Sequence, residues 1–379
     1  MNPVARLLAA FLLLPVSCLA KQIDTSSSPL LNSLAVTGNP FGIAPLTAVI
    51  DLSSRQPVRV SITIKGKRTP LGDITNDFNR TAANHSLPVL GLYAGHDNRI
   101  ELRFFDDDGL LLETFEFSLT TFSARPALPQ VRIDEADLEN MLPGMTLVSA
   151  YGHSSDAKML PMRAFMFDEF GDIRWYLDTA NHSELKDLFF SCGPERLQNG
   201  NLYFGSFHTD AIFEMNLLGK IINRWPLEPY EFHHQVMEMP NGNFLLTSGV
   251  KDADTTQDFV IEVDRRSGEV VTAWDLNLSL ENTRNVQGNN EKNWFHGNAV
   301  AYDAEQDAIL VSGRFQGLVK LTSDNKIAWL MSPHEGWTQN GRGEEIDDFL
   351  LQPLDQSGKA ITDSKTLTGH RNHPEFEWN

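Results

Sequence analysis

Cysteine is almost absent from this chain of 379 residues, which contains only Cys18 and Cys192. Cys18 lies in an N-terminal segment that reads as a removable signal, so Cys192 would remain as a single thiol. A lone cysteine excludes an intramolecular disulfide in the mature protein. The fold is therefore expected to depend on the burial of apolar side chains, for which a chain of this length has ample material.

Basic side chains are also scarce. The chain has 31 Lys and Arg residues against 50 Asp and Glu residues, for a formal net charge of −19, and no basic cluster offsets this balance. Nucleic acid is therefore not an expected partner, because phosphate-backbone binding requires a local positive surface. The mean hydropathy is −0.26, and no apolar run approaches the length of a bilayer span beyond the N-terminus. Membrane insertion is not expected either.

Residues 1–20 have the pattern of a secretory signal peptide. Arg6 supplies the basic part, Leu7 to Leu14 the short apolar part, and Cys18 to Ala20 a small-residue cleavage site. Lipidation at Cys18 is the alternative, but Pro15 fits that motif poorly. The pattern predicts export and cleavage after Ala20. Residues 21–37 are rich in Ser and Leu without periodicity, which favours a tether or an arm.

Residues 38–130 are predicted to form a small N-terminal β-sandwich. Four runs alternate apolar and polar residues at period two, as half-buried strands do: Leu46 to Ile50, Val58 to Ile64, Arg99 to Phe105 and Leu110 to Phe117. Asp106 to Gly109 could form a calcium loop or a hairpin turn. The turn is favoured, because Asp-Gly between alternating strands is a strong hairpin signal.

Residues 131–379 are repetitive. Trp175, Trp225, Trp274 and Trp329 follow one another at spacings of 50, 49 and 55 residues, each at the end of a predicted hairpin, and a second hairpin precedes the last three. Two hairpins per repeat of about 50 residues indicate a four-stranded blade of a β-propeller. The tryptophans are expected to pack between blades. The predicted fold class is therefore all-β, a sandwich followed by a propeller.

Aligning the repeats locates a candidate site. The inner hairpins of three blades can be aligned on Ser206, Ser248 and Ser312. Cys192 and His234 lie 14 residues before their serines, and His296 lies 16 before because its turn is two residues longer. If these are the innermost strands, all three face the channel at one height. Cys192 is expected to line this channel rather than to be a reactive thiol.

The blade around His296 adds two more polar residues. Counting across its turn places His296 opposite Arg314 and Asn298 opposite Ser312. Two histidines, an arginine and an asparagine offer donors that suit an oxyanion. The set lacks the carboxylates or thiolates of a calcium or structural zinc site, so no metal is predicted. It suits sulfuryl or phosphoryl transfer with His as the acid, and a covalent route would need a nucleophile such as another His.

Six segments carry a resemblance to a known family. They are Asn39–Ala48, Phe232–Gly242 (which contains Phe-His-His-Gln), Trp294–Asp303, Val311–Lys320, Trp329–Trp337 and Leu350–Thr362. Together they resemble the bacterial arylsulfate sulfotransferases. The resemblance implies a periplasmic enzyme that moves a sulfuryl group from an aryl sulfate donor to a phenolic acceptor. The route is ping-pong through a sulfohistidine on a six-bladed propeller, without a cofactor, and the resemblance also suggests a homodimer.

By this resemblance, His234, His296, Asn298 and Arg314 fall on active-site positions. His296 would move the proton at the phenolic oxygen, while the other three would bind the sulfuryl oxygens. The family's nucleophilic histidine follows a stretch matched by Phe376–Asn379, where this sequence ends. The expectation is therefore a truncated chain with about four blades and a nucleophile beyond Asn379, since His370 and His373 do not match the motif.

Two other functions are compatible with a propeller. One is a non-catalytic periplasmic protein that binds aromatic sulfates or other anions. The other is a quinone-dependent dehydrogenase, for which neither calcium ligands nor cofactor-stacking groups are found in the sequence.

Overall fold

The computed structural model describes residues 20–68, 70–124, 128–142, 144–153, 159–188, 193–286 and 288–360, with the backbone alone for 151–153 and 159–162. Residues 1–19, Cys192, His370 and His373 lie outside these ranges. The described chain forms two compact units. The first is drawn from Met1–Leu147 and Phe165–Asp178, and the second from Val148–Ala164 and Thr179–Asn379.

Six antiparallel strands form the sheet of the first unit. Their bounds are β1 Lys21–Gln22, β2 Leu31–Gly38, β3 Thr47–Ile64, β4 Ile74–Leu90, β5 Asp97–Phe105 and β6 Leu111–Thr120. The long strand β3 pairs with β4 along its length, with β2 at its first half and with β5 at its second half. The two runs expected as separate strands at 46–50 and 58–64 therefore belong to one strand.

Residues 21–37 carry two strands, so their expected description as a tether or an arm is wrong. β1 pairs with β2, and β2 pairs with β3. The side chains of Leu31, Leu34 and Val36 are buried. A bulge between Leu31 and Ser33 interrupts the pairing, and this interruption removes the period-two alternation by which a strand is recognised.

The turn between β5 and β6 is the predicted Asp-Gly hairpin turn. The amide of Gly109 donates to the carbonyl of Asp106, and the amide of Asp106 donates to the carbonyl of Leu110. Gly109 has a φ of 87°, a left-handed conformation that glycine adopts without steric cost. The preference for a hairpin at this tetrad is confirmed.

Most of the remaining strands form consecutive four-stranded antiparallel sheets. A three-stranded sheet comes first, with β7 Thr146–His153, β8 Met159–Phe167 and β9 Ile173–Tyr176. The second sheet has β10 Glu195–Arg196, β11 Leu202–Ser206, β12 Ala211–Met215 and β13 Ile221–Pro226. The third has β14 Tyr230–Glu238, β15 Phe244–Val250, β16 Phe259–Val263 and β17 Val270–Asp275. The fourth has β18 Gly297–Asp303, β19 Ala308–Gly313, β20 Gly317–Thr322 and β21 Ile327–Met331.

These sheets confirm the all-β fold class, and the three four-stranded ones have the strand order of a propeller blade. Helix in the described residues is limited to α1 at Leu276–Ser279 and a 3₁₀ turn at Asp347–Phe349. None of the helices found among the described residues has the length and apolar character needed to cross a bilayer.

Two of the four repeated tryptophans connect neighbouring sheets, as predicted. Trp225 and Trp274 occupy equivalent places in β13 and β17, and both are buried. The indole Nε1 of Trp225 donates to the carbonyl of Arg265 over 2.9 Å, and that of Trp274 donates to the carbonyl of Thr322 over the same distance. Each indole thus satisfies its donor on the following sheet while its ring fills the space between them.

Candidate functional site

The first strand of the third sheet bulges where its histidines lie. In β14, Phe232 pairs with Ser248 and Val236 pairs with Leu246, so the three residues between them face Thr247 alone. The Thr247 hydroxyl donates to the carbonyl of His233 and accepts from the amide of Gln235. One side chain therefore replaces the main-chain partners that the bulge removes.

The corresponding strand of the fourth sheet has a smaller bulge. The amide of Arg314 donates to the carbonyl of His296 over 2.9 Å, which confirms that these two residues face each other. The predicted pairing of Asn298 with Ser312 is wrong, because Ser312 pairs with Ala299. Asn298 is the extra residue of the bulge, a local event that counting across a turn cannot reveal because such counting assumes an unbroken ladder.

His234 and His296 share an uncommon backbone conformation. Their φ angles are 52° and 56°, in the left-handed region that residues with a Cβ rarely adopt. Both lie at or beside a bulge in the first strand of a sheet. Strained conformations of this kind persist where the surrounding structure enforces them, and they concentrate at functional sites.

Three imidazole rings meet at this place. The ring centroids of His233 and His234 are 4.2 Å apart, those of His233 and His296 are 4.9 Å apart, and those of His234 and His296 are 5.5 Å apart. We call these three residues the histidine cluster. Sequence reasoning found two of its members and missed His233, because adjacent residues of a regular strand point to opposite faces. The doubled His-His in the sequence was the available signal, and the bulge is what brings both rings together.

His296 is held by a neighbouring amide. Asn293 Nδ2 lies 2.9 Å from Nδ1 of His296, and Asn293 Oδ1 lies 3.3 Å from the same nitrogen. Asn293 can serve either tautomer of the neutral ring, because its amide group can donate to a bare Nδ1 and its Oδ1 can accept from a protonated Nδ1. The ring of Phe315 contacts His296 edge-on at 5.8 Å. The imidazole is thereby fixed in orientation.

Burial and charge keep two members of the cluster neutral. Burial, followed by the nearby imidazoles of His234 and His296, lowers the pKa of His233 to about 2. Burial and then the charge of Arg314 lower the pKa of His234 below its ordinary value. At neutral pH both rings are therefore uncharged, and the guanidinium of Arg314 supplies positive charge close to them.

Side chains also connect the two sheets beside the cluster. Gln235 Oε1 accepts from the amide of Val300 over 2.8 Å, and the carbonyl of Gln257 accepts from the amide of Gly297 over 2.8 Å. Each bond involves one residue adjacent to the cluster, Gln235 after His234 or Gly297 after His296. Asn298 Oδ1 and Arg314 Nε are shielded from solvent in the same region. The site is a polar cluster with fixed geometry, suited to holding an anion against imidazole and guanidinium donors.

Family models and known relatives that match this chain agree on one protein family. Residues 130–379 match the family model described as arylsulfotransferase (ASST), and residues 35–118 match the arylsulfotransferase Ig-like domain. Two arylsulfate sulfotransferases named AssT, from Lelliottia amnigena and from Escherichia coli O6:H1, are each 24% identical to this chain. Each alignment covers 86% of this chain and 68% of the relative.

Solved structures show more distant similarities. A protein of unknown function from Bacteroides caccae has a TM-score of 0.34 at 12% identity, over 72% of this chain and 94% of that one. Virginiamycin B lyase from Staphylococcus aureus has a TM-score of 0.31 at 11% identity, over 65% of this chain and 73% of the lyase. Neither similarity bears on the function of this chain.

Proposed function

Because the chain belongs to the arylsulfotransferase family, we propose that it is an arylsulfate sulfotransferase that moves a sulfuryl group from an aryl sulfate to a phenolic acceptor. The observation that carries this proposal is the histidine cluster beside Arg314, at the first strands of two adjacent sheets. The two AssT relatives support the same activity.

Binding of the sulfuryl group is assigned to three residues. In the transition state, negative charge spreads over the sulfuryl oxygens and the leaving oxygen. His234 and Arg314 supply a fixed dipole and a charge at one place, since the charge of Arg314 acts on His234. Asn298, at the bulge two residues after His296, adds an amide. Donors that are oriented before the reaction stabilise such charge without reorganisation.

Proton transfer is assigned to His296. Its Nδ1 is held by Asn293, so Nε2 is the nitrogen assigned to exchange the proton. In the first half-reaction a histidine nitrogen attacks sulfur, the bond from sulfur to the aryl oxygen breaks, and His296, as the imidazolium, protonates the departing phenolate and becomes neutral. In the second half-reaction His296 takes the proton of the acceptor phenol, whose oxygen attacks sulfur and breaks the nitrogen–sulfur bond.

We also propose that the protein is exported to the periplasm and forms a homodimer. The basic, apolar and small-residue pattern of residues 1–20 supports export. The mass of the protein recovered from the periplasm tests cleavage after Ala20. A protein that stays in the cytoplasm with residues 1–20 still attached would contradict export.

Light scattering at several protein concentrations tests the homodimer. A molecular mass that stays at the monomer value would contradict it.

The activity test uses p-nitrophenyl sulfate as donor and phenol as acceptor. We expect p-nitrophenol release that depends on phenol, together with formation of phenyl sulfate. If the protein is instead a non-catalytic binder of aromatic sulfates, the donor should raise the melting temperature without any release of p-nitrophenol. Release that is independent of any acceptor would indicate a sulfatase and contradict the proposal.

A further inference from the structure

The histidine cluster has the composition and spacing of a transition-metal site. One ring nitrogen from each of His233, His234 and His296 lies within 4.8 Å of the others. We propose that these three imidazoles bind one borderline divalent ion such as Zn²⁺ or Co²⁺. This proposal is separate from the proposed sulfuryl transfer, because the protein can bind the ion whether or not it turns over an aryl sulfate.

The distances are close to those that a single ion requires. With Zn–N bonds of about 2.0–2.1 Å, two nitrogens on one ion lie about 3.3 Å apart in a tetrahedron and about 4.2 Å apart at most. Nitrogens within 4.8 Å of one another therefore need a closure of at most about 1.5 Å to reach the tetrahedral spacing. Small side-chain rotations supply a movement of this size.

A second observation at the same place points to a ligand. The side chain of His233 is 6% exposed, and its Nε2 has no hydrogen-bond partner among the described residues. A buried polar nitrogen without a partner is costly, and coordination of an ion by this ring would remove that cost. His234 and His296 lie beside it, so the ring that needs a partner is already part of a three-nitrogen set.

His296 has the outer contact typical of a metal-binding histidine. A ligating imidazole usually engages a neighbouring group with its second nitrogen, which fixes the ring orientation. Asn293 offers this contact through its Oδ1, which lies 3.3 Å from Nδ1 of His296 and can accept the Nδ1 proton of a ring that coordinates through Nε2.

The ligand chemistry selects the kind of ion. Three imidazoles without a carboxylate favour Zn²⁺, Co²⁺, Ni²⁺ or Cu²⁺ over Ca²⁺ and Mg²⁺, which require oxygen ligands. The charge of Arg314 acts on His234 and opposes a cation at the cluster. Removing this charge should therefore strengthen metal binding, whereas it should weaken binding of a sulfate ester. These opposite effects distinguish the two uses of the cluster.

The test is a titration of the full-length protein with Co²⁺, followed by its visible absorption, in buffer free of phosphate and imidazole. We expect one Co²⁺ per chain with the intense bands of a low-coordinate site. His233→Ala and His296→Ala should each weaken binding at least tenfold. His334→Ala is the matched control, because Nε2 of His334 contacts the carbonyl of Leu351 at 3.1 Å, and it should leave binding unchanged.

Arg314→Gln supplies the deciding measurement, and circular dichroism checks that every variant is folded. We expect Arg314→Gln to tighten Co²⁺ binding severalfold while it lowers turnover of p-nitrophenyl sulfate. Absence of a one-to-one Co²⁺ complex would overturn the proposal, as would Co²⁺ binding that survives both histidine substitutions. A protein that binds Co²⁺ at the cluster but releases no p-nitrophenol would sustain the metal site and contradict only the proposed activity.

Discussion

The imidazole rings of His233 and His296 lie 4.9 Å apart at an interplanar angle of 86°, although their strands belong to two different sheets. The contact exists because β14 bulges before Val236 and because β18 begins directly after His296. The site is therefore assembled by two adjacent blades, and neither strand could form it alone.

Thr247 should control the geometry of the cluster. Thr247→Val keeps the shape of the side chain but removes the hydroxyl that bridges His233 and Gln235. Two buried main-chain groups would lose their partner, which costs about 1–3 kcal/mol of unfolding free energy. Urea denaturation measures this loss of stability. We also expect kcat to fall by more than the fraction of enzyme that is unfolded at the assay temperature can explain. Thr247→Ser retains the hydroxyl and should keep both the stability and the kcat of the wild type. If the Ser and Val variants behaved alike, the role of the Thr247 hydroxyl in the cluster would be contradicted.

His296→Ala and Arg314→Ala should each reduce kcat/KM for p-nitrophenyl sulfate with phenol. Each removes one oriented donor, and the loss of such a donor costs about 2–4 kcal/mol of transition-state stabilisation. For Arg314→Ala the loss should be similar for all aryl sulfates. For His296→Ala it should grow as the leaving phenol becomes less acidic, because a poor leaving group depends on protonation. Wild-type rates in both variants would refute the site assignment.

Glu214 should make stability depend on acid pH. Burial raises the pKa of its carboxyl group, but hydrogen bonds from Asn201, Asn199, Asn223 and Arg265 outweigh burial and lower the pKa to about 2. A folded-state pKa below the unfolded value of 4.5 gives stability that is complete above pH 4.5 and is lost as the pH falls towards 2.

Urea midpoints measured between pH 5 and pH 2.5 test this dependence. Glu214→Gln should be less stable at pH 7 and should show a flatter decline over this range. Glu305→Gln, at the exposed turn before Ala308, is the control and should decline like the wild type. An unchanged slope in Glu214→Gln would show that other groups govern acid stability.

Gly205 should tolerate no side chain. A Cβ atom at this position would lie 1.9 Å from the ring of Phe232, where the second and third sheets pack. Gly205→Ala should lower the unfolding free energy by about 3 kcal/mol, the upper part of the usual range for overpacking. Gly38→Ala, which meets nothing within 4 Å, is the matched control and should be neutral or slightly stabilising. Thermal denaturation compares the two, and a similar small effect of both would contradict the packing.

Much of the fold could be predicted because its signals are local. The tryptophan repeat, the turn residues and period-two alternation each reflect backbone and burial preferences of neighbouring residues. Prediction failed where a ladder is irregular. The bulge after Leu31 concealed β2, and the bulge at Asn298 shifted the register against Ser312. Strand β4, whose side chains are mostly exposed or half-buried over its first ten residues, offered no apolar pattern to detect.

The sequence by itself determined the all-β class, the blade repeat and the pairing of His296 with Arg314, because a side chain's strand position follows from counting when the ladder is regular. Only the tertiary structure decided that His233 joins His234 and His296. Two sheets must bulge and pack together before the three rings meet, and neither the bulge nor the packing is encoded in the spacing of the residues. The near-absence of cysteine fits this result, since burial and interlocking hydrogen bonds hold the described blades together.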